Sequence, residues 1–218
     1  MPRFWHRLTM IAPVIPAIVL AAGKSTRMGR PKANLPLENG ETFLSRIVRT
    51  LCAAAVDDVV VVVGHEADAI VTAFSRTGAA ARFVTNTDYE NGGQFSSLLR
   101  GLNAVDRPGV LAALVTLVDV PFVHAKTVRA VIERYHQTRA PIVRPVRGQK
   151  HGHPVLIARS LFDAVRRAEP SGGARLVVRA HASASGDVQV DDDGAFRDID
   201  TAGEYEQVMG ARAAGENF

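Results

Sequence analysis

Short apolar runs alternate with amphipathic stretches along almost the whole chain. The runs Ala17 to Ala22, Val59 to Val63, Arg82 to Val84, Leu111 to Val118, Ile142-Val143 and Val155 to Ile157 are short and partly β-branched. Gly, Pro, Asp or Asn bound them, which predicts buried strands. Between them apolar residues recur at helical spacing, as Phe43, Leu44, Ile47, Val48 and Leu51, then Ile70, Val71 and Phe74, then Leu98, Leu99 and Leu102, then Val128, Val131, Ile132 and Tyr135. This alternation predicts a Rossmann-like three-layer α/β/α architecture on a mainly parallel sheet. Ligands of such sheets bind at the carboxyl ends of the strands, so the loops after the strands are where chemistry is sought.

Composition narrows the class. A chain of 218 residues with 47% apolar and 22% charged residues is not disordered, collagen-like or a disulfide scaffold. The one cysteine, Cys52, has no internal partner, and Leu51 with Ala53 to Ala55 predicts a buried helical position, which fits a reducing, cytoplasmic setting. A net charge of +4 is too mild for coating a nucleic acid and suits a few cations gathered around a small anion. Met10 to Ala22, preceded by Arg3, His6 and Arg7, superficially matches a secretory leader. Pro13 and Pro16 interrupt that run, and cleavage there would remove the first strand. No run reaches the ~18 apolar residues needed to span a bilayer, so no membrane partner is expected. The acidic run Asp191 to Asp193 before Gly194 reads as a solvated turn between two short strands.

The most informative stretch follows the first strand. In Leu20-Ala-Ala-Gly-Lys-Ser-Thr-Arg-Met-Gly-Arg-Pro-Lys32, Gly23 allows close approach of backbone to a ligand, and Lys24, Arg27, Arg30 and Lys32 supply cationic donors suited to a triphosphate. Gly23-Lys24-Ser25 lacks the glycine-bounded spacing of a Walker loop, and the Gly-x-Gly-x-x-Gly dinucleotide fingerprint is absent. A bound triphosphate calls for a divalent cation, and Mg²⁺ takes one or two carboxylates plus phosphate oxygens and water. Asp119 fits, because it directly follows the strand Leu111 to Val118 and Pro121 closes a turn after it. A cationic group of Arg144, Arg147, Lys150, His151, His153 and Arg175 in two later loops suits a phosphorylated acceptor. His153, next to Pro154, has a plainer alternative in a hydrogen bond to a backbone carbonyl.

The first loop resembles the signature of the MobA-like nucleotidyltransferases, within the nucleotide-diphospho-sugar transferase fold, and is most similar to molybdenum-cofactor cytidylyltransferases. Asn91-Gly-Gly-Gln-Phe-Ser-Ser-Leu-Leu-Arg-Gly101, Leu117-Val-Asp-Val-Pro-Phe122, Gly152-His-Pro-Val155 and Asp198-Ile-Asp-Thr201 are similar to four further segments of that family, in the same order. Val118, Val120, Ala202 and the insert-like Gln149-Lys150-His151 depart from its pattern. The matching segments run from Leu20 to Thr201. They imply one nucleotidyltransferase domain over residues 14–213, behind an N-terminal extension of residues 1–13.

The resemblance implies an enzyme that moves a nucleoside monophosphate to a phosphorylated acceptor such as molybdopterin and releases pyrophosphate. It implies triphosphate contacts from Arg27 and Lys32, base recognition by the backbone of Leu20, Ala21, Ala22 and Gly23, and polar contacts near Ser96 and Ser97. Lys24 and Ser25 belong to the same nucleotide loop. The second Mg²⁺ ligand beside Asp119 is expected at Asp200, although strand alternation points Asp198 to the same face. Ala22, where guanylyl-transferring relatives often carry Gly, favours CTP over GTP. A molybdoenzyme is the expected onward partner. A sugar-phosphate acceptor on the same fold, and a non-catalytic cofactor chaperone for such an enzyme, are the alternatives.

Overall fold

The computed structural model describes residues 13–213, so the leading segment, including Arg3, Trp5, His6 and Met10, lies outside the described residues. The elements follow one another as β1 (Ala17–Ala21), α1 (Phe43–Ala53), β2 (Val59–Val63), α2 (Ala67–Ser75), β3 (Arg82–Thr85), α3 (Tyr89–Val105), β4 (Ala112–Leu117), α4 (Ala125–Thr138), β5 (Ile142–Arg147), β6 (Lys150–His151), β7 (Val155–Ala158), α5 (Phe162–Arg166), α6 (Gly173–His181), β8 (Asp187–Gln189) and α7 (Ala202–Ala213). The sheet runs β3-β2-β1-β4-β7-β5-β6, with β8 beside β5. Strands β1 to β4 are mutually parallel, while β7 runs antiparallel between β4 and β5.

Alternation along the central strand divides the core into two layers. Ala17, Val19 and Ala21 of β1 pack with Leu44, Ile47 and Val48 of α1, Ile70 and Phe74 of α2, and Val128 and Val131 of α4. Ile18 and Leu20 face the other way, onto Leu98, Leu102 and Val105 of α3 and Phe162 and Val165 of α5. The five valines of β2 are all buried because helices cover both faces of the sheet. The expected α/β/α sandwich on a mainly parallel sheet is therefore present.

Several local readings are corrected. Cys52 is helical but exposed, because it lies on the outer side of α1, whereas its neighbour Leu51 faces the core. Of the acidic run, Asp191 and Asp193 are exposed, as a solvated turn requires, but Asp192 is not. Asp192 is 1% exposed, and its Oδ2 accepts hydrogen bonds from the His124 N–H at 2.9 Å and from the Thr127 hydroxyl. It thus caps α4 from a distant part of the chain, which explains why a carboxylate is tolerated inside.

The order of the strands creates the site. Chain from β1 passes outward through β2 and β3, then returns to the other side of β1 as β4. The crevice outside the carboxyl ends of β1 and β4 is the topological switch point, where open α/β sheets bind ligands. The loops carrying Gly23 and Asp119 leave from these two strand ends.

Helix α3 lies close against β1 and β2. A Cβ at Gly101 would stand 2.4 Å from Ile18 Cγ2 and 3.2 Å from Val62 Cγ2. Gly101→Ala is expected to destabilise the fold by about 1–3 kcal/mol through overpacking, outweighing a propensity gain of about 1 kcal/mol. Urea denaturation measures this, and an unchanged or raised stability would contradict the packing argument.

Candidate active site

Three loops bring four charges together. Lys32 Nζ lies 2.5 Å from Asp200 Oδ1 and 3.3 Å from Asp119 Oδ2, and Arg27 Nη2 lies 2.9 Å from Asp200 Oδ2. The Lys32 side chain is 10% exposed and that of Arg27 is 64% exposed, so the lysine forms the inner contact and the arginine the outer one. Asp119 Oδ1 is buried and accepts no hydrogen bond. Burial pushes the Asp119 carboxyl above its ordinary pKa, against the pull of Lys32. The hydrogen bond from Lys32 holds Asp200 below its own.

The surrounding chain explains this convergence. Ser25 sits at positive φ, and its Oγ accepts the Lys32 backbone N–H at 3.2 Å, tying the two ends of the loop. A small satellite core of Leu35, Leu37, Phe43, Phe122, Ile199 and Val208 lies beneath. Leu35 follows Lys32, Phe122 follows Asp119 and Ile199 precedes Asp200, so one apolar cluster binds all three charged loops. The Ile199 N–H also donates to the Asp119 carbonyl at 2.9 Å.

These charges line a cavity of about 280 Å³ with Leu20, Ala22, Gly23, Ser25, Tyr89, Gly93, Gln94, Ser97 and Val118. Its far wall depends on a break in α3, where Gly93 adopts φ 57° and ψ −147°, a conformation open to glycine. The buried Asn86 amide holds the break together. Its Nδ2 donates to Ser96 Oγ at 2.8 Å and Ser97 Oγ at 3.0 Å, and both serine hydroxyls donate to the Gly93 carbonyl.

A second cavity of about 490 Å³ adjoins the first through the shared Leu20, Gln94 and Leu117. Phe95, Leu98, Val115, Val155, Ile157 and Val178 make it largely apolar, and His153 and Arg175 are the ionisable groups in its lining. Burial holds the His153 ring below its ordinary pKa.

The MobA-like NTP transferase domain matches residues 17–185. The chain belongs to that family. This MobA-like transferase is 31% identical over 152 residues, 68% of the chain and 70% of the relative, to a protein of Mycobacterium bovis named probable molybdenum cofactor guanylyltransferase. Its fold is similar to crystal structures of Rv0371c from Mycobacterium tuberculosis. One matches with TM-score 0.76 and 26% identity over 92% of this chain and 100% of that one, and a manganese complex with TM-score 0.70 and 25% identity over the same shares. The cytidylyltransferase for 2-C-methyl-D-erythritol 4-phosphate from Thermus thermophilus shares the fold, with TM-score 0.65 and 19% identity over 92% of this chain and 99% of that one. Among the described residues no helix is long and apolar enough to cross a membrane.

The structure sorts the sequence-based expectations for this MobA-like transferase. Lys32, Arg27, Asp119 and Asp200 meet, and Leu20, Ala22, Gly23, Ser25 and Ser97 line the same cavity. Ala21 faces the opposite core, and Ser96 is spent on the α3 break. Lys24 lines neither cavity: its Nζ pairs with Glu90 at 2.8 Å on the surface, and that hydrogen bond raises its pKa. Arg144 and Arg147 are not brought to the site either. They line neither cavity, because Asp187 holds Arg144 at 2.8 Å and Arg147 pairs with Asp193 and stacks on Phe196. Of the expected acceptor group, His153 and Arg175 reach the second cavity. Gly93 and Gln94 lie in the segment Asn91 to Gly101 without a role of their own in the sequence, and Asn86 and Tyr89 fall outside every motif; Gly92-Gly93 inside a helical pattern was the available signal of the break.

The half-buried His153 makes a prediction about pH. Its folded pKa lies below the usual 6.5, so the unfolded chain takes up the proton more readily, and stability falls as pH drops below about 6.5. His153→Gln should therefore lose less stability than the native chain between about pH 7.5 and about pH 5.5. Urea melts at both values check it, and equal losses would contradict it.

Proposed function

We propose that this nucleotidyltransferase moves CMP from CTP to a phosphorylated acceptor of the molybdopterin type and releases pyrophosphate. The observation that carries the reading is the meeting of Lys32, Arg27, Asp119 and Asp200 at the mouth of a cavity that opens into a second, apolar one. The first cavity suits a nucleotide and the second an acceptor with a flat or apolar body. The alternative acceptor, a sugar phosphate, would leave many hydroxyls facing the apolar side chains Phe95, Leu98, Val155 and Ile157.

The carboxylates of Asp119 and Asp200 fit a divalent cation such as Mg²⁺. They are hard oxygen donors, and Asp119 Oδ1 is buried without a hydrogen-bond partner. A bound Mg²⁺ would neutralise phosphate charge as the transfer proceeds. An acceptor phosphate oxygen attacks the α-phosphorus in line, a new P–O bond forms, and the bond to the β-phosphate breaks. Lys32 and Arg27 stabilise the charge on the departing pyrophosphate. An ionised acceptor phosphate requires no general base. Arg175 anchors the acceptor, and His153, whose Nδ1–H donates to the Val115 carbonyl at 3.5 Å, presents Nε2 as a hydrogen-bond acceptor without adding charge.

Two observations bear on the base. Ala22 in the loop favours CTP, whereas the Mycobacterium bovis relative is named a guanylyltransferase, which favours GTP as the second reading. Pyrophosphate release from CTP, GTP and ATP with Mg²⁺ and molybdopterin separates them. The largest kcat/KM is expected with CTP. A larger value with GTP moves the assignment to guanylyl transfer, and no release with any nucleotide refutes the reading. Asp119→Asn is expected to lower kcat about a hundredfold or more while nucleotide still binds. Turnover unchanged in that variant would exclude Asp119 from the chemistry.

A further inference from the structure

Lys32 stands where a cation belongs. Its Nζ lies between Asp200 Oδ1, at 2.5 Å, and Asp119 Oδ2, at 3.3 Å, and it is largely shielded from solvent. In the reading above the same nitrogen must reach triphosphate oxygens, and the same two carboxylates must accept a divalent ion. It cannot do both from one position. We infer that Lys32 is the resident counter-ion of the Asp119–Asp200 pair in the free protein, and that a divalent cation enters as Lys32 passes from the carboxylates to the nucleotide's triphosphate. The inference rests on the assignment of Asp119 and Asp200 as cation ligands.

Three further observations support the exchange. The Lys32 backbone is fixed by its hydrogen bond to Ser25 Oγ, whereas its four-carbon stem carries rotatable bonds, so Nζ can move without the loop moving. Among the described residues no group of three or more His, Cys, Asp or Glu is placed to hold a metal ion. Two carboxylates leave most of an octahedral shell to water and phosphate, so the pair is built for a cation that arrives with its nucleotide. Arg27 also touches Asp200, but from an exposed position where solvent screens it, so it competes far less with an incoming ion. Nucleotide and cation then strengthen each other's binding, each favouring the state in which Lys32 has left the carboxylates.

Mn²⁺ serves as the probe, titrated into the full chain without nucleotide and followed by loss of the free-ion signal in electron paramagnetic resonance. Thermal melts confirm that each variant is folded. Weak binding is expected for the native chain and for Lys32→Arg, which keeps the charge. Lys32→Met and Lys32→Gln should each tighten binding about tenfold or more, and Arg27→Gln about twofold or less. Adding Asp119→Asn to Lys32→Met should restore weak binding. If neither neutral Lys32 variant binds Mn²⁺ more tightly, while Asp119→Asn still weakens binding, the counter-ion role is refuted and the ligand pair stands. Mn²⁺ binding indifferent to Asp119→Asn in every background refutes the ligand pair itself.

Discussion

One ammonium group shared between two carboxylates organises the site. Lys32, Asp119 and Asp200 come from positions far apart in the chain, and without an intervening cation the two acids would repel across a partly buried space. Their meeting depends on hydrophobic burial. The apolar cluster around Phe43, Phe122 and Ile199 locks the three loops, and Asp192, buried at the start of α4, ties the segment before Asp200 to the one after Asp119. The fold stores electrostatic potential by fixing backbone, and leaves one flexible side chain to respond.

The two adjoining cavities divide the labour by polarity. Charged and backbone groups surround the first, as a triphosphate needs, while the second is largely apolar, with His153 and Arg175 as its ionisable groups. The broken helix α3 serves both, since Gln94 lies at their junction and Asn86 braces the break with its amide. The cations of the site are matched by its own carboxylates, and those outside it by others, as Arg144 and Arg147 are by Asp187 and Asp193.

Much of the fold was legible because local periodicity and tertiary burial agree in its parallel half. The five valines of β2 and the helical spacing of α1 and α4 were read directly. The other half was less so. Strands β6 and β8 are two and three residues long; β6 pairs with β5 in a hairpin too short to show a period, and β8 pairs with β5 across a long separation that no periodicity records. Asp119 could be placed from its position after a buried strand, whereas Asp200 needed the family's segment, since alternation alone left Asp198 open. Lys24, Arg144 and Arg147 could not be placed in this way, because a side chain's charge is visible in sequence and its counter-ion is not.

The most direct measurement is a crystal structure of the chain with Mn²⁺ and a CTP analogue that cannot release pyrophosphate. The account predicts the ion seated between the Asp119 and Asp200 carboxylates and Lys32 Nζ on triphosphate oxygens, away from its 2.5 Å contact with Asp200. Lys32 still bonded to Asp200, with the ion and triphosphate bound elsewhere, would contradict it.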